Sequence, residues 1–98
     1  MTDANEPTTV RARVTLTGRV QGVGYRAFTV RVATQRKLVG GVRNLEDGRV
    51  ELDVEGPKDS ILALLGELKV GPPASRVVTV QTEWGKATGR YADFLVWY

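Results

Sequence analysis

Three glycines precede Arg26 in the stretch GRVQGVGYR, residues 18–26. Gly18, Gly22 and Gly24 can adopt backbone angles that a Cβ disfavours, so successive N–H groups can turn inward around one small ligand. If a helix follows, its positive end and the planar fork of the Arg26 guanidinium favour a phosphoryl group there. The stretch therefore predicts an anion site. The alternative is a tight strand-to-helix turn with a solvated arginine.

Two other phosphate-binding motifs do not fit this stretch. A Walker loop ends in Gly-Lys-Ser/Thr, and the dinucleotide fingerprint needs a third glycine where Ala27 stands. The glycine pattern alone leaves the anion site and the simple turn both open.

The composition limits the chemistry that such a site can use. The 98-residue chain has no cysteine and no histidine. Disulfides, thiolate metal sites and cysteine nucleophiles are therefore excluded, as are a histidine base, a histidine zinc ligand and a phosphohistidine intermediate. Fourteen Lys and Arg against eleven Asp and Glu give a net charge of +3, and the basic residues are scattered. This balance favours a small anionic ligand and does not indicate a nucleic-acid surface.

Apolar periodicity predicts the elements that position the glycine loop. Residues 10–17 alternate apolar and polar, as a half-buried strand does, and a helical stripe follows from Tyr25 to Ala33. An Asp-Gly turn separates strands over residues 39–45 and 49–55. A second helix opens at Gly56-Pro57 and stops at Gly71, and strands follow over residues 77–84 and 94–98.

This order is βαββαβ plus a short C-terminal strand, the ferredoxin-like or split-βαβ arrangement of the α+β class. Right-handed crossovers and the central hairpin predict the strand order 4-1-3-2, an antiparallel sheet with two helices on one face and water on the other. Residues 1–9 hold no apolar run and predict a disordered leader before one domain over residues 10–98. No segment has membrane-spanning length, and a cytoplasmic location is the expectation.

The predicted topology brings a second polar residue to the glycine loop. The two strands joined by the first helix point the same way and lie about two spacings of 4.8 Å apart. The glycine loop that leaves the first of them and the carboxyl end of the second therefore share one edge of the sheet. Arg43 and Asn44 are the polar residues there. Asparagine is disfavoured in strands, so Asn44 either belongs to the site or begins the following turn.

Two motifs together resemble those of the acylphosphatase family. Residues 18–26 resemble its first signature, G-x-V-Q-G-V-[GF]-[FY]-R. Residues 40–51, GGVRNLEDGRVE, resemble its second, G-[WY]-V-x-N-x-x-D-G-x-V-E. The 18-residue interval from Arg26 to Asn44 is also similar, and the resemblance extends over about residues 10–98. Two separated motifs at a fixed spacing are far more specific than one glycine loop.

The resemblance implies hydrolysis of small acyl phosphates to a carboxylate and inorganic phosphate, with no metal and no other cofactor. By match, Arg26 binds the phosphoryl group and Asn44 positions the attacking water, so both are the expected catalytic residues. The expected phosphate-binding residues are Gln21, Gly22, Val23, Gly24, Tyr25 and Arg26. Inorganic phosphate is expected as product and competitive inhibitor, and the chain as a monomer without nucleic-acid or membrane partners.

Two departures from the family pattern bear on local packing and substrate preference. Gly41 stands where an aromatic residue is usual, and Arg36-Lys37 replaces a more common Leu-Gly. Neither touches the two catalytic matches.

The residue inventory fits the implied chemistry. An acyl phosphate leaves as a carboxylate whose conjugate acid has a pKa of about 4, so no protein acid is needed. Arg26 and the loop N–H groups can meet the charge that develops on the phosphoryl oxygens, and Asn44 can orient a water. A phosphate oxygen of the substrate is the hypothesised acceptor of the water's proton.

Two non-catalytic alternatives stay open. One is a small-anion sensor that uses the same loop. The other is an RNA-binding domain of similar βαββαβ arrangement, which would expose aromatic residues on its third strand. Here that strand reads RVELDVE over residues 49–55, with acidic outward residues.

Overall fold

The computed structural model describes residues 8–98, in which five strands and two helices follow one another. They are β1 (Thr9–Arg19), α1 (Tyr25–Gln35), β2 (Val39–Asn44), β3 (Val50–Pro57), α2 (Lys58–Val70), β4 (Arg76–Lys86) and β5 (Phe94–Val96). β1 begins at Thr9, one residue before the predicted start, and the predicted leader lies mostly outside the described residues. Within residues 8–98 neither helix has the length and apolar character needed to cross a membrane.

The sheet has the strand order β4-β1-β3-β2-β5. β1 lies antiparallel between β3 and β4, and β2 is antiparallel to β3. This confirms the order 4-1-3-2 and the ferredoxin-like α+β fold. The prediction of an antiparallel sheet holds for β1 to β4 and is corrected at β5, which pairs parallel with β2 and makes the sheet mixed.

The direction of β5 follows from where β4 ends. β4 runs opposite to β1 and therefore ends at the edge of the sheet away from the glycine loop. Residues 87–93 carry the chain across about four strand spacings, roughly 19 Å, which lies within their extended reach. A strand that starts at this edge must run in the direction of β1 and β2. The end of β5 consequently lies at the same edge as the glycine loop.

One face of the sheet packs against both helices. The buried apolar side chains of β1 and β3 alternate along each strand: Ala12, Val14, Leu16, Val50, Leu52 and Val54. The helices bury a matching set: Tyr25, Thr29, Val32, Ala33, Ile61, Leu64, Leu65 and Leu68. α1 contacts β2 and β5, and α2 contacts β3 and β4. Both helices therefore cover one face, as the period-2 pattern of the strands predicts.

The opposite face is not simply open to water, which corrects the expectation for β3. Asp53 is 7% exposed and Glu55 only 1%. Glu55 accepts hydrogen bonds from the Thr88 N–H, the Thr88 hydroxyl and the Gly89 N–H at 2.7–3.0 Å. The crossover to β5 runs over these carboxylates and satisfies them. A covered, acidic third strand gives no support to the RNA-binding alternative.

Candidate active site

The glycine loop ends in a row of backbone amides at the start of α1 that have no acceptor within the helix. Gly22 and Gly24 have positive φ of 71° and 78°, with open space where a Cβ would lie, so the backbone angle itself requires glycine. Gly24 caps α1, and the first helical hydrogen bond runs from the Phe28 N–H to the Gly24 carbonyl at 3.0 Å. The amides of residues 25–27 precede that bond, and no acidic residue lies in this first turn. This end of the helix suits an anion.

The loop is held in place at two points. A register shift between Thr17 and Gly18 puts a bulge at the end of β1, where a Cβ on Gly18 (φ 118°) would overlap the Arg76 carbonyl. The Gln21 side-chain amide donates to the carbonyls of Leu45 and Arg49 at 2.8 and 2.9 Å. Gln21 therefore ties the loop to the β2–β3 turn and brings it beside the end of β2.

Arg26 is the second residue of α1, and its cation is available to a ligand. Its guanidinium carbon lies 5.6 Å from the centre of the Tyr98 ring. Among residues 8–98 no carboxylate forms an ion pair with Arg26, whereas five other arginines are paired: Arg11, Arg36, Arg43, Arg49 and Arg90. An unpaired guanidinium beside free amides is suited to bidentate binding of a phosphoryl group.

Asn44 is the last residue of β2, and its amide is not used by the turn that follows. Its Oδ1 is buried and has no hydrogen-bond partner among the described residues. The turn is closed instead by backbone bonds from the Leu45 N–H to the Arg49 carbonyl and from the Gly48 N–H to the Leu45 carbonyl. The Asp47 carboxylate also accepts the Arg49 N–H at 3.1 Å. The alternative in which Asn44 only begins the turn therefore lacks the side-chain hydrogen bond that it requires.

These groups meet in one small cleft of about 270 Å³. Its lining residues are Val20, Gly22, Gly24, Tyr25, Arg26, Ala27, Asn44, Val96 and Tyr98. Of the predicted site residues, Gln21 and Val23 do not line the cleft. The Gln21 side chain instead links the loop to the β2–β3 turn. Tyr25 contributes backbone only, because its ring is buried and its hydroxyl donates to the Leu68 carbonyl at 2.5 Å.

The sequence did not point to four of the lining residues: Val20, Ala27, Val96 and Tyr98. Ala27 could have been found from its place in the first turn of α1. Val96 and Tyr98 could have been found only by recognising that β5 runs toward the loop, which a short terminal strand does not reveal.

The titratable groups near the cleft do not form an acid–base pair. Burial raises the pKa of the Tyr25 hydroxyl well above its ordinary value, so it stays neutral at all physiological pH. Within residues 8–98 no group of three or more carboxylates is arranged to hold a metal ion. The polar groups at the site are thus a fixed cation, an amide side chain and backbone N–H groups.

A ferredoxin-like domain with the Arg26 guanidinium beside the first amides of α1 is suited to hold a phosphoryl-sized anion. Comparison with known families matches residues 12–96 to the acylphosphatase family. The chain therefore belongs to the acylphosphatase family, whose function is the hydrolysis of acyl phosphates, and it is a hydrolase of that kind.

Individual relatives agree with the family assignment. The acylphosphatase of Syntrophotalea carbinolica is 51% identical over 76 residues, 76% of this chain and 83% of that protein. The acylphosphatase of Thermus thermophilus is 50% identical over 72 residues, 74% and 82% of the two chains. The crystal structure of acylphosphatase from Bacillus subtilis superimposes with a TM-score of 0.88 at 36% identity, covering 91% of this chain and 99% of that one.

Proposed function

We propose that the chain hydrolyses small acyl phosphates with Arg26 and the loop amides holding the phosphoryl group and Asn44 holding the attacking water. The observation that carries this proposal is the presence in one cleft of two groups that have no partner among residues 8–98: the Arg26 guanidinium, without a carboxylate, and the buried amide oxygen of Asn44, without a hydrogen bond. A buried acceptor left unpaired costs about 1–3 kcal/mol. Such a group is expected where a ligand or a water completes it.

Binding of the phosphoryl group rests on positive partial and full charges that are already in position. The amides of residues 25–27 and the helix dipole face the ligand, and Arg26 adds a charge-assisted fork. Phosphoryl transfer spreads charge over three equatorial oxygens, so these contacts strengthen in the transition state. Arg26 therefore contributes to both binding and rate.

The water is activated by position. The terminal torsion of an asparagine is soft, so Asn44 can turn its amide oxygen toward the cleft and accept a hydrogen bond from the water. The water oxygen bonds to phosphorus while the bond from phosphorus to the acyl oxygen breaks. The carboxylate leaves unprotonated, because its conjugate acid has a pKa of about 4. The proton of the water passes to a phosphoryl oxygen of the substrate.

Three finer expectations belong to this proposal. Catalysis needs no metal, because Arg26, the amides and the helix dipole meet the phosphoryl charge. Inorganic phosphate competes with substrate for the same amides. A monomer working in the cytoplasm stays a prediction, and light scattering of the purified chain checks the first half of it.

The direct test compares two Arg→Lys variants on the same helix. Arg31 also lies on α1 and also stacks on an aromatic ring, that of Phe28 at 5.5 Å. Lysine keeps the charge but loses the planar fork. Arg26→Lys should lower phosphate release from an aryl acyl phosphate by about 10² or more, while Arg31→Lys should stay within about twofold. Near wild-type turnover by Arg26→Lys contradicts the assigned role, and phosphate binding without turnover by the wild type favours an anion sensor.

A further inference from the structure

Gly41, one of the two departures from the family pattern, lies under an aromatic ring that comes from the residue after β5. It is a buried residue of β2, and a Cβ built on it would overlap the six-membered ring of the Trp97 indole. Its φ lies outside the range that favours glycine, so the restriction is one of space. The aromatic group that β2 lacks is thus supplied from the C-terminal end of the chain.

Trp97 is attached at three points. Its backbone N–H donates to the Val42 carbonyl at 2.7 Å, and this bond secures the end of β5 to β2. Its ring packs on Gly41 and lies 5.6 Å from the centre of the Tyr91 ring. The Tyr91 hydroxyl donates to Asp53 at 3.0 Å, and Asp53 is also held by the Arg11 guanidinium. The indole is therefore seated in a connected, partly buried group.

The neighbours of Trp97 in sequence face the opposite side of the sheet. In an extended chain alternate side chains point to opposite faces. Val96 and Tyr98 line the cleft together with Arg26 and Asn44, whereas Trp97 lies on the far face above Gly41. Tyr98 is fully exposed, so a face of its ring is available to a ligand. The position of these two side chains depends on how firmly the end of β5 is held.

We propose that Val96 and Tyr98 form the acyl side of the cleft and that Trp97, seated on Gly41, positions them and thereby gives the enzyme a preference for aryl over small alkyl acyl groups. With the phosphoryl group at Arg26 and the loop amides, the acyl group extends toward the rest of the lining. That part holds an apolar side chain and an aromatic ring, which favour a flat apolar group. The inference rests on the proposed function, because it takes the phosphoryl position from it.

The test measures selectivity with two substrates that share the phosphoryl group. Benzoyl phosphate carries an aryl group and acetyl phosphate a methyl group. Trp97→Ala should raise KM for benzoyl phosphate by about 3- to 10-fold, the range that one aromatic contact supplies. KM for acetyl phosphate, kcat for both substrates and the inhibition constant of phosphate should stay within about twofold. Leu95→Ala, on the same strand and half exposed, is the matched control and should change none of them.

A second variant displaces the ring without removing it. Gly41→Ala introduces the Cβ that overlaps the indole, so it should give the same selective rise in KM for benzoyl phosphate. In the Trp97→Ala background the added methyl has room, and Gly41→Ala should have no further effect. This non-additivity is expected only if the two residues act through one contact. It keeps the proposal testable even if Trp97→Ala folds poorly.

The outcomes separate the two proposals. A selective loss for benzoyl phosphate that is non-additive with Gly41→Ala supports the positioning role. Equal losses for both substrates and for phosphate binding would mean that Trp97 only stabilises the fold, and they would overturn the positioning role. Unchanged selectivity in either variant would also overturn it. If the wild type hydrolyses neither substrate, the proposed function itself is refuted. That result is distinct from a loss of selectivity in the variants.

Discussion

Replacing Asn44 by alanine separates its two possible roles, because each predicts the opposite effect on stability. Asn44→Ala keeps the backbone pairing with Val50 and removes a buried amide whose Oδ1 has no partner among the described residues. An unpaired buried group costs about 1–3 kcal/mol, which offsets the packing lost with a small, half-buried side chain. We expect the free energy of unfolding to stay the same or rise by about 1 kcal/mol. For a domain of this size the melting temperature then rises by about 0–8 °C.

Activity should respond in the other direction. Loss of one positioned hydrogen bond at a transition state typically lowers kcat by about 10²–10³, or 2.7–4 kcal/mol. The inhibition constant of phosphate should change by less than about threefold, because Arg26 and the loop amides remain. Asn44→Asp has the same shape but adds a negative charge, and it should weaken phosphate binding as well as kcat.

The assay combines thermal melts, phosphate inhibition and initial rates with an acyl phosphate. Arg43→Ala is the control, since Arg43 adjoins Asn44 but forms an exposed ion pair with Glu51 at 2.7 Å and should matter little. A variant of Asn44 that melts several degrees earlier yet turns over normally would refute the reasoning and return Asn44 to a turn residue.

Three further predictions concern the framework and the chemistry. Gly18→Ala should lower the free energy of unfolding by about 1–3 kcal/mol, because Gly18 has a φ of 118° and the added Cβ overlaps the Arg76 carbonyl. The control Gly66→Ala, on α2 with open space around it, should raise the free energy of unfolding by about 0.5–1 kcal/mol. Equal effects of the two variants in urea titrations would contradict the prediction for Gly18. Burial raises the pKa of Glu55, but its hydrogen bonds from Thr88 and Gly89 outweigh that and hold the pKa below its usual value. This stabilisation is present above the unfolded pKa of about 4.3 and is lost as the pH falls through the lower folded value. The wild type should therefore lose stability below about pH 4, and the stability of Glu55→Gln should fall less steeply with pH in that range. Identical dependence of stability on acid pH in the two proteins would exclude Glu55 as the cause. Exhaustive chelation should leave kcat unchanged, and kcat should show no bell-shaped dependence between mildly acidic and mildly basic pH, because the chain has no histidine to act as an acid–base group; activity abolished by chelator and restored by magnesium contradicts the metal-free mechanism.

The parts of the fold that sequence alone predicts are those with a periodic signal on a long element. Alternation in β1 and β3 and the stripe of α1 identify the core face, because each buried position repeats at the period of its element. The Asp-Gly turn predicts the hairpin that places Asn44 at the edge of the loop. Local chemistry is sufficient for these features, since each depends on neighbours in sequence.

Features that depend on long-range register could not be predicted in this way. β5 has three residues, and its alternation does not say which strand it pairs with or in which direction. Asp53 and Glu55 read as solvated outward residues until the crossover is seen to cover them. Gly41 reads as a missing aromatic residue, and only the pairing of β5 with β2 reveals that Trp97 fills its space.

The absence of histidine from the chain is compatible with hydrolysis because of the leaving group. An alkyl phosphate ester must expel an alkoxide, which requires a proton donor or a metal to stabilise it. A carboxylate leaves without either, so the catalytic demand reduces to holding the phosphoryl group and aiming one water. Arg26, the amides at the start of α1 and Asn44 can meet that demand without a histidine or a carboxylate. The same argument predicts that alkyl phosphate esters bind weakly and are barely hydrolysed. Measurable turnover of a simple alkyl ester would mean that a proton donor acts in the cleft.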